Sequence, residues 1–239
     1  MGEFATRKIG YNTDMTNIAY IICSILSFIP AIVLHEVSHG WVAFKLGDPT
    51  AKSQGRLSLN PLKHVDPFGT VILPLILMVA SGPIFGYAKP VPYNPRYFED
   101  KRKGDLLVGL AGPAANLVMA LVGTGLAWLC YWIALNNLAL LQNPVFSVIF
   151  LTFIPLFILI NLYLMFFNLL PIPPLDGSSI WAFILPEKFL PAYYTVERYA
   201  MPILLILLIV LPYVLNVNPI SAYLGATAGN LFDLITPYA

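Results

Sequence analysis

The sequence predicts an all-α polytopic membrane protein with about four transmembrane helices, and its composition and apolar patterning say why. Of 239 residues, 58% are hydrophobic and 10% charged, against about 25% charged in an ordinary soluble domain. Mean hydropathy is +0.76. The apolar runs are long and do not alternate, so a backbone satisfied within lipid is helical here and not a barrel. This composition excludes a disordered chain and a typical soluble enzyme. The net charge of +1 offers nothing to a polyanion, so no nucleic-acid partner is expected, and the lipid bilayer is. Two cysteines, Cys23 and Cys130, are too few for a disulfide framework or a cysteine-rich metal site.

In chain order, residues 1–15 are polar and patternless and form an extramembrane segment. Met1–Thr6 fits a myristoylation pattern, but the distribution of basic residues puts that end outside. Met1–Phe4 reads equally as a cloning scar. No basic flank precedes an apolar core with a small-residue cleavage site, so the segment does not read as a signal peptide. Four runs, 16–46, 105–135, 145–170 and 192–215, are long enough to span ~30 Å of hydrocarbon. The run 71–80 is shorter, contains Pro74 and is followed by Ser81-Gly82-Pro83. It reads as a re-entrant or interfacial element. Residues 47–104 are punctuated by Asp48-Pro49, Asn60-Pro61, Asp66-Pro67, Lys89-Pro90 and Asn94-Pro95, which break helices and favour turns. Within them 56–59 and 87–93 are strand-like and expected to pair as a β-hairpin. Residues 16–177 form the expected catalytic core, and 178–239 a last transmembrane helix and a mildly amphipathic tail.

Basic residues orient the chain. If 71–80 does not cross, Lys45, Lys52, Arg56, Lys63, Lys89, Arg96, Lys101, Arg102 and Lys103 share one side, and Lys188 and Arg198 return to it. Only Arg7 and Lys8 lie opposite. The positive-inside rule then makes 47–104 cytoplasmic and the N-terminus external.

The chemistry begins at His35-Glu36-Val37-Ser38-His39. Helical i,i+4 spacing puts both imidazoles on one face. Two neutral nitrogens there can grip a zinc ion while Glu36 takes a proton from water. Two of the three histidines of the chain lie in this motif, and His or Glu inside a membrane helix is functional by default. The plainer alternative is a pair of histidines hydrogen-bonded to backbone.

Catalytic zinc takes three protein ligands and keeps a fourth position open. Asp105 and Glu197 sit at span ends beside Lys103 and Arg198, where interfacial pairing accounts for them. Glu36 and Asp176 remain as acids in apolar settings without a basic neighbour. Pro171, Pro173 and Pro174 unwind the end of the third span, letting the Asp176 carboxylate turn inward. Alternatively Asp176 caps a helix starting at Ser178. His39 lies seven residues before Leu46, ~10 Å from the cytoplasmic end, and Asp176 reaches that end from a parallel span. A crossing at 71–80 would separate them. Asn116, in Gly112-Pro113-Ala114-Ala115-Asn116, can donate into the site or join two helices. Asn168 can serve a substrate carbonyl or oxyanion, or again a helix contact. His64 can touch the metal in a closed state, line the substrate path, or sit as an ordinary interfacial histidine.

These residues together resemble the site-2 protease family of intramembrane zinc metalloproteases. The match lies in His35-Glu36-x-x-His39, Gly112-Pro113-Ala114-Ala115-Asn116 and Asn168-x-x-Pro171-x-Pro173-x-Leu175-Asp176-Gly177, and extends over about 17–177. Residues 47–52 and 86–92 resemble the small bacterial and archaeal branch without an inserted PDZ domain. The chain has fewer spans than many members. The resemblance implies Zn2+ bound by His35, His39 and Asp176, with Glu36 as general base. It implies regulated intramembrane proteolysis, the hydrolysis of transmembrane protein substrates within or near the bilayer of the cell, and the distribution of basic residues opens the site to the cytoplasm. A helical substrate would be unwound locally and held extended by strand addition. Two rival readings are a non-catalytic relative that binds membrane proteins and a metal transporter. An intact Glu36 counts against the first. The lack of a paired half and of further intramembrane charges counts against the second.

Overall fold

Apolar periodicity carries the first helix, α1, from Thr13 to Lys45. The computed structural model describes residues 13–72, 87–206, 208, 214 and 218–238. Gly47, at φ +100°, ends the turn after α1 in a conformation that suits a residue without Cβ. Asp48 is fully buried and fastens two separate stretches of chain. Its Oδ1 accepts from Thr50 N at 2.9 Å and Thr50 Oγ1 at 2.5 Å, and its Oδ2 accepts from Asn94 N at 2.6 Å. A short helix α2, Thr50–Ser53, comes next.

Among the described residues there is no strand, so the expected β-hairpin is not observed. Segments 56–59 and 87–93 are joined by a side chain, Arg56 Nη2 donating to Lys89 O at 2.8 Å. The backbone donors of the second segment go elsewhere: Tyr87 N to Gly69 O, Lys89 N to His64 O, and Val91 N to the Glu36 carboxylate. Pro90 and Pro92 have no donor for a ladder. Of the short apolar run 71–80, residues 73–80 lie outside the described residues, as do residues 1–12 of the N-terminal segment.

Helix α3, Lys101–Asn136, starts four residues earlier than the predicted span because Asp100 caps it, accepting from Arg102 N and Lys103 N. Helix α4, Pro144–Asn168, widens into a π turn at Ile149–Phe153, two residues before Pro155, which cannot donate to the carbonyl four residues back. Beyond it come α5, Ser178–Ile184, α6, Leu190–Arg198, α7, Ala200–Leu205, α8, Pro219–Leu224, and α9, Asn230–Ile235. The predicted span 192–215 is interrupted at Tyr199, where Pro202 has no N–H for Arg198 O. Residues 207, 209–213 and 215–217 lie outside the described residues. Among the described residues three helices, Ile18–Lys45, Lys101–Asn136 and Pro144–Asn168, are long and apolar enough to cross a membrane.

Contacts fix how these three run. His35 meets Asn116 and His39 meets Val108, so α1 and α3 are antiparallel. Asn116 meets Asn161, and Gly123 abuts Ile158 and Phe157, so α3 and α4 are antiparallel too. Hence α1 and α4 run parallel, and the connection from Leu46 to Lys101 leaves and re-enters one end of the bundle. Small residues on α3 make the close packing possible: Gly109, Gly112, Ala120, Gly123 and Ala127 follow one another at spacings of three, four or eight. Ile154, Ile158, Leu162 and Met165 of α4 share a core with Ala120 and Ala127, closed by Ala228 and Phe232 of the C-terminal segment. Trp128 Nε1 donates to Ile235 O at 2.8 Å, pinning that segment to α3. The outer faces carry exposed Ile18, Ile21, Ile25, Val118, Leu121 and Leu129, an apolar surface suited to hydrocarbon.

Candidate metal centre

His35 and His39 stand one turn apart on α1, both buried, with ring centroids 4.7 Å apart. His35 Nδ1 lies 2.6 Å from Asn116 Oδ1, and His39 Nδ1 lies 2.6 Å from Val108 O. Both partners are oxygens that only accept. Each Nδ1 therefore donates, and each neutral ring keeps a bare Nε2.

The turn after α4 brings the third group. Helix α4 ends at Asn168, and Gly177 N donates back to Asn168 O at 2.6 Å. Gly177 must lack a side chain, because a Cβ would stand 2.5 Å from Leu169 C and 2.6 Å from Leu170 O. Gly109 is similarly required. A Cβ there would stand 3.0 Å from Asp176 O and collide with Ser179. Arg102 holds α5 down by donating to the carbonyls of Ala182 at 3.0 Å, Phe183 at 2.7 Å, and Leu185, which have no partner within the helix. The Asp176 carboxylate does not cap α5, whose N-terminus has no side-chain cap. Its Oδ2 instead lies 3.1 Å from His35 Nε2 and 3.5 Å from His39 Nε2.

The donor chemistry fits a metal. Asp176 Oδ2 is buried and receives no hydrogen bond, while two bare imidazole nitrogens face it. Three acceptors converge, and a shared cation satisfies all of them. The three ligand atoms lie within 4.8 Å of one another. Tetrahedral bonds of ~2.0–2.1 Å place neighbouring ligand atoms about 3.4 Å apart, which the 3.1 and 3.5 Å separations bracket. Gly112 keeps the space open. A Cβ there would stand 2.6 Å from His35 Nε2 and closer still to His39 Nε2.

A cleft of about 220 Å³ adjoins the cluster, lined by Glu36, His39, Val91, Tyr93, Asp105 and Asp176 among others. Glu36 Oε2 accepts from Val91 N at 3.0 Å. Gly40 permits this approach, since a Cβ there would stand 2.6 Å from Val91 Cγ1. Tyr93 donates its hydroxyl to Asp105 Oδ1 at 2.5 Å. Burial, and then the neighbouring Asp105 charge, push the Tyr93 hydroxyl above the ordinary phenol range.

The structure thus brings together His35, His39, Asp176 and Glu36, and it revises several other expectations. Asn116 does not donate into the site. Its oxygen accepts from His35, and its amide donates to Asn161 Oδ1 at 2.9 Å and Ala31 O at 3.3 Å. Asn168 donates its amide to Leu164 O at 3.0 Å, while its backbone carbonyl fixes the Asp176 turn. His64 is buried, 2.8 Å from Ser58 O, and lies neither in the cluster nor among the cleft residues. Asp105 and Glu197 form no ion pair among the described residues. Both line the cleft, and Asp105 is held by Tyr93. Sequence reasoning missed Asn161, fully buried on α4, although a polar residue within so apolar a run is itself a signal. It also missed Val91, whose contribution is a backbone N–H.

Comparison with known proteins identifies the family. The family model described as "Peptidase family M50" matches residues 23–211. The chain is 40% identical over 185 residues to "Putative zinc metalloprotease YwhC" of Bacillus subtilis (strain 168), covering 77% of this chain and 79% of that protein. It is 28% identical over 229 residues to "Putative zinc metalloprotease Rip2" of Mycolicibacterium smegmatis, covering 91% and 82%. No solved structure matches. With the whole candidate site inside the matched region, the chain belongs to peptidase family M50, the site-2 protease family.

Proposed function

We propose that this chain is a zinc metalloprotease that hydrolyses peptide bonds of membrane-spanning proteins within or near the bilayer, with His35, His39 and Asp176 as metal ligands and Glu36 as general base. One observation carries the reading: His35 Nε2, His39 Nε2 and Asp176 Oδ2 converge beside a helical bundle whose long helices are apolar enough to span. When bound, zinc supplies Lewis acidity and lowers the pKa of water toward neutrality. The protein does the rest. Glu36 has one carboxylate oxygen tied to Val91 N–H, leaving Oε1 to take a proton from the attacking water. Glu36 then returns that proton to the amine nitrogen as the C–N bond breaks. Asn116 and the Val108 carbonyl hold the imidazoles in the tautomer that presents Nε2. The segment 87–93 spends its donors at Tyr87, Lys89 and Val91 on Gly69 O, His64 O and Glu36, so a substrate strand would meet carbonyls on its other edge.

The site opens to the cytoplasm in this reading. Support comes from the basic residues between α1 and α3 and from the entry and exit of that connection at one end of the bundle, which suits a re-entrant segment at 71–80.

Membrane vesicles test both parts. In inside-out vesicles, an impermeant chelator is expected to stop cleavage of a transmembrane substrate, and added zinc to restore it. In right-side-out vesicles the chelator should have no effect. Cleavage that survives chelation on both faces contradicts the metalloprotease, and inhibition from the outer face alone contradicts the orientation.

A further inference from the structure

Phe157 O, Asn161, Asn116 and His35 form one directed chain of hydrogen bonds across α4, α3 and α1. Phe157 O only accepts, so Asn161 must present its amide to it, at 2.8 Å. That turns Asn161 Oδ1 toward α3. Asn116 answers with its amide, at 2.9 Å, and must then present Oδ1 to His35, at 2.6 Å. An acceptor at that point forces the His35 proton onto Nδ1. Asn116 and Asn161 are both fully buried, so water is not at hand to supply a substitute partner. Among the described residues, the other anchor on the Asn116 amide is Ala31 O, at the longer distance of 3.3 Å.

We infer that Asn161 is a positioning residue for the metal centre: acting through Asn116, it fixes the proton of His35 on Nδ1 and so leaves Nε2 bare for the metal. This rests on the proposed His35–His39–Asp176 ligand set. Without Asn161 the Asn116 amide is free to flip and face His35 with its NH2 group. His35 would then accept at Nδ1 and carry its proton on Nε2, where a metal cannot bind. Outer partners of ligating histidines set metal affinity by ~10–100-fold. Because Ala31 O remains, the lower end applies.

The test is the zinc affinity of purified full-length protein, by competition with a chelator of known strength. Asn161→Leu is expected to weaken zinc about tenfold. Adding Asn116→Asp to that variant should restore affinity, since a carboxylate only accepts and holds the His35 proton on Nδ1 without Asn161. Asn161→Asp, whose carboxyl group burial keeps protonated, donates its O–H to Phe157 O and keeps an acceptor toward Asn116, so it should bind as wild type and serves if the leucine variant does not fold. Wild-type affinity in Asn161→Leu would overturn the inference. So would a tenfold loss that Asn116→Asp fails to restore, because Asn161 would then act by packing, and so would a tenfold loss in Asn161→Asp. Failure of the wild-type chain to bind zinc at all would instead overturn the ligand set on which the inference rests.

Discussion

Replacing Glu36 with Gln is expected to lower cleavage by ~10²-fold or more while zinc stays bound, since a positioned general base contributes at least that much. The amide has nearly the shape of the carboxylate. Its oxygen can still accept from Val91 N–H, which Glu36 Oε2 meets at 3.0 Å. What it cannot do is take a proton from water at neutral pH. His35, His39 and Asp176 are untouched, so metal content is the internal control. A rate within about tenfold of wild type would contradict the role given to Glu36.

Gly112→Ala is expected to weaken zinc binding without replacing any ligand. The added methyl would stand 2.6 Å from His35 Nε2 and closer to His39 Nε2, in the space a metal has to fill. Neither ring can retreat freely, because Asn116 and Val108 hold both Nδ1 atoms. Overpacking a tight site costs about 1–3 kcal/mol. If all of that falls on the metal-bound state, zinc affinity drops ~5–150-fold. Titration of purified protein with zinc measures it. Unchanged affinity would mean that the rings rearrange or that the metal sits elsewhere.

Several features were legible because local rules control them. His35 and His39 meet through helical spacing alone. Asp176 followed from the few acids in apolar surroundings and from depth in parallel spans. The limits of α1, α3 and α4 fall within a few residues of the hydropathy runs. The failures lie where tertiary contacts decide. Segments 56–59 and 87–93 have strand-like composition, but the donors at Lys89 and Val91 are taken by His64 O and Glu36. Lys103 and Asp105 are two apart and Glu197 and Arg198 adjacent, spacings that do not face each other on a helix. The pairings expected of them fail for that reason, and Tyr93 takes Asp105 instead. Gly109 and Asn161 gain their meaning from what α3 meets, which periodicity along one helix does not contain. Gly177 could be read as a helix stop, but not that its missing side chain admits Leu169 and Leu170.

The most direct measurement is the X-ray absorption spectrum of zinc in the purified, zinc-loaded protein. Two imidazole nitrogens and one carboxylate oxygen at ~2.0–2.1 Å are expected, with a further light atom completing the shell. In Asp176→Ala the imidazole signature should persist while zinc occupancy falls. A sulfur shell at ~2.3 Å, which would implicate Cys23 or Cys130, or a spectrum without imidazole, would contradict the centre built from His35, His39 and Asp176.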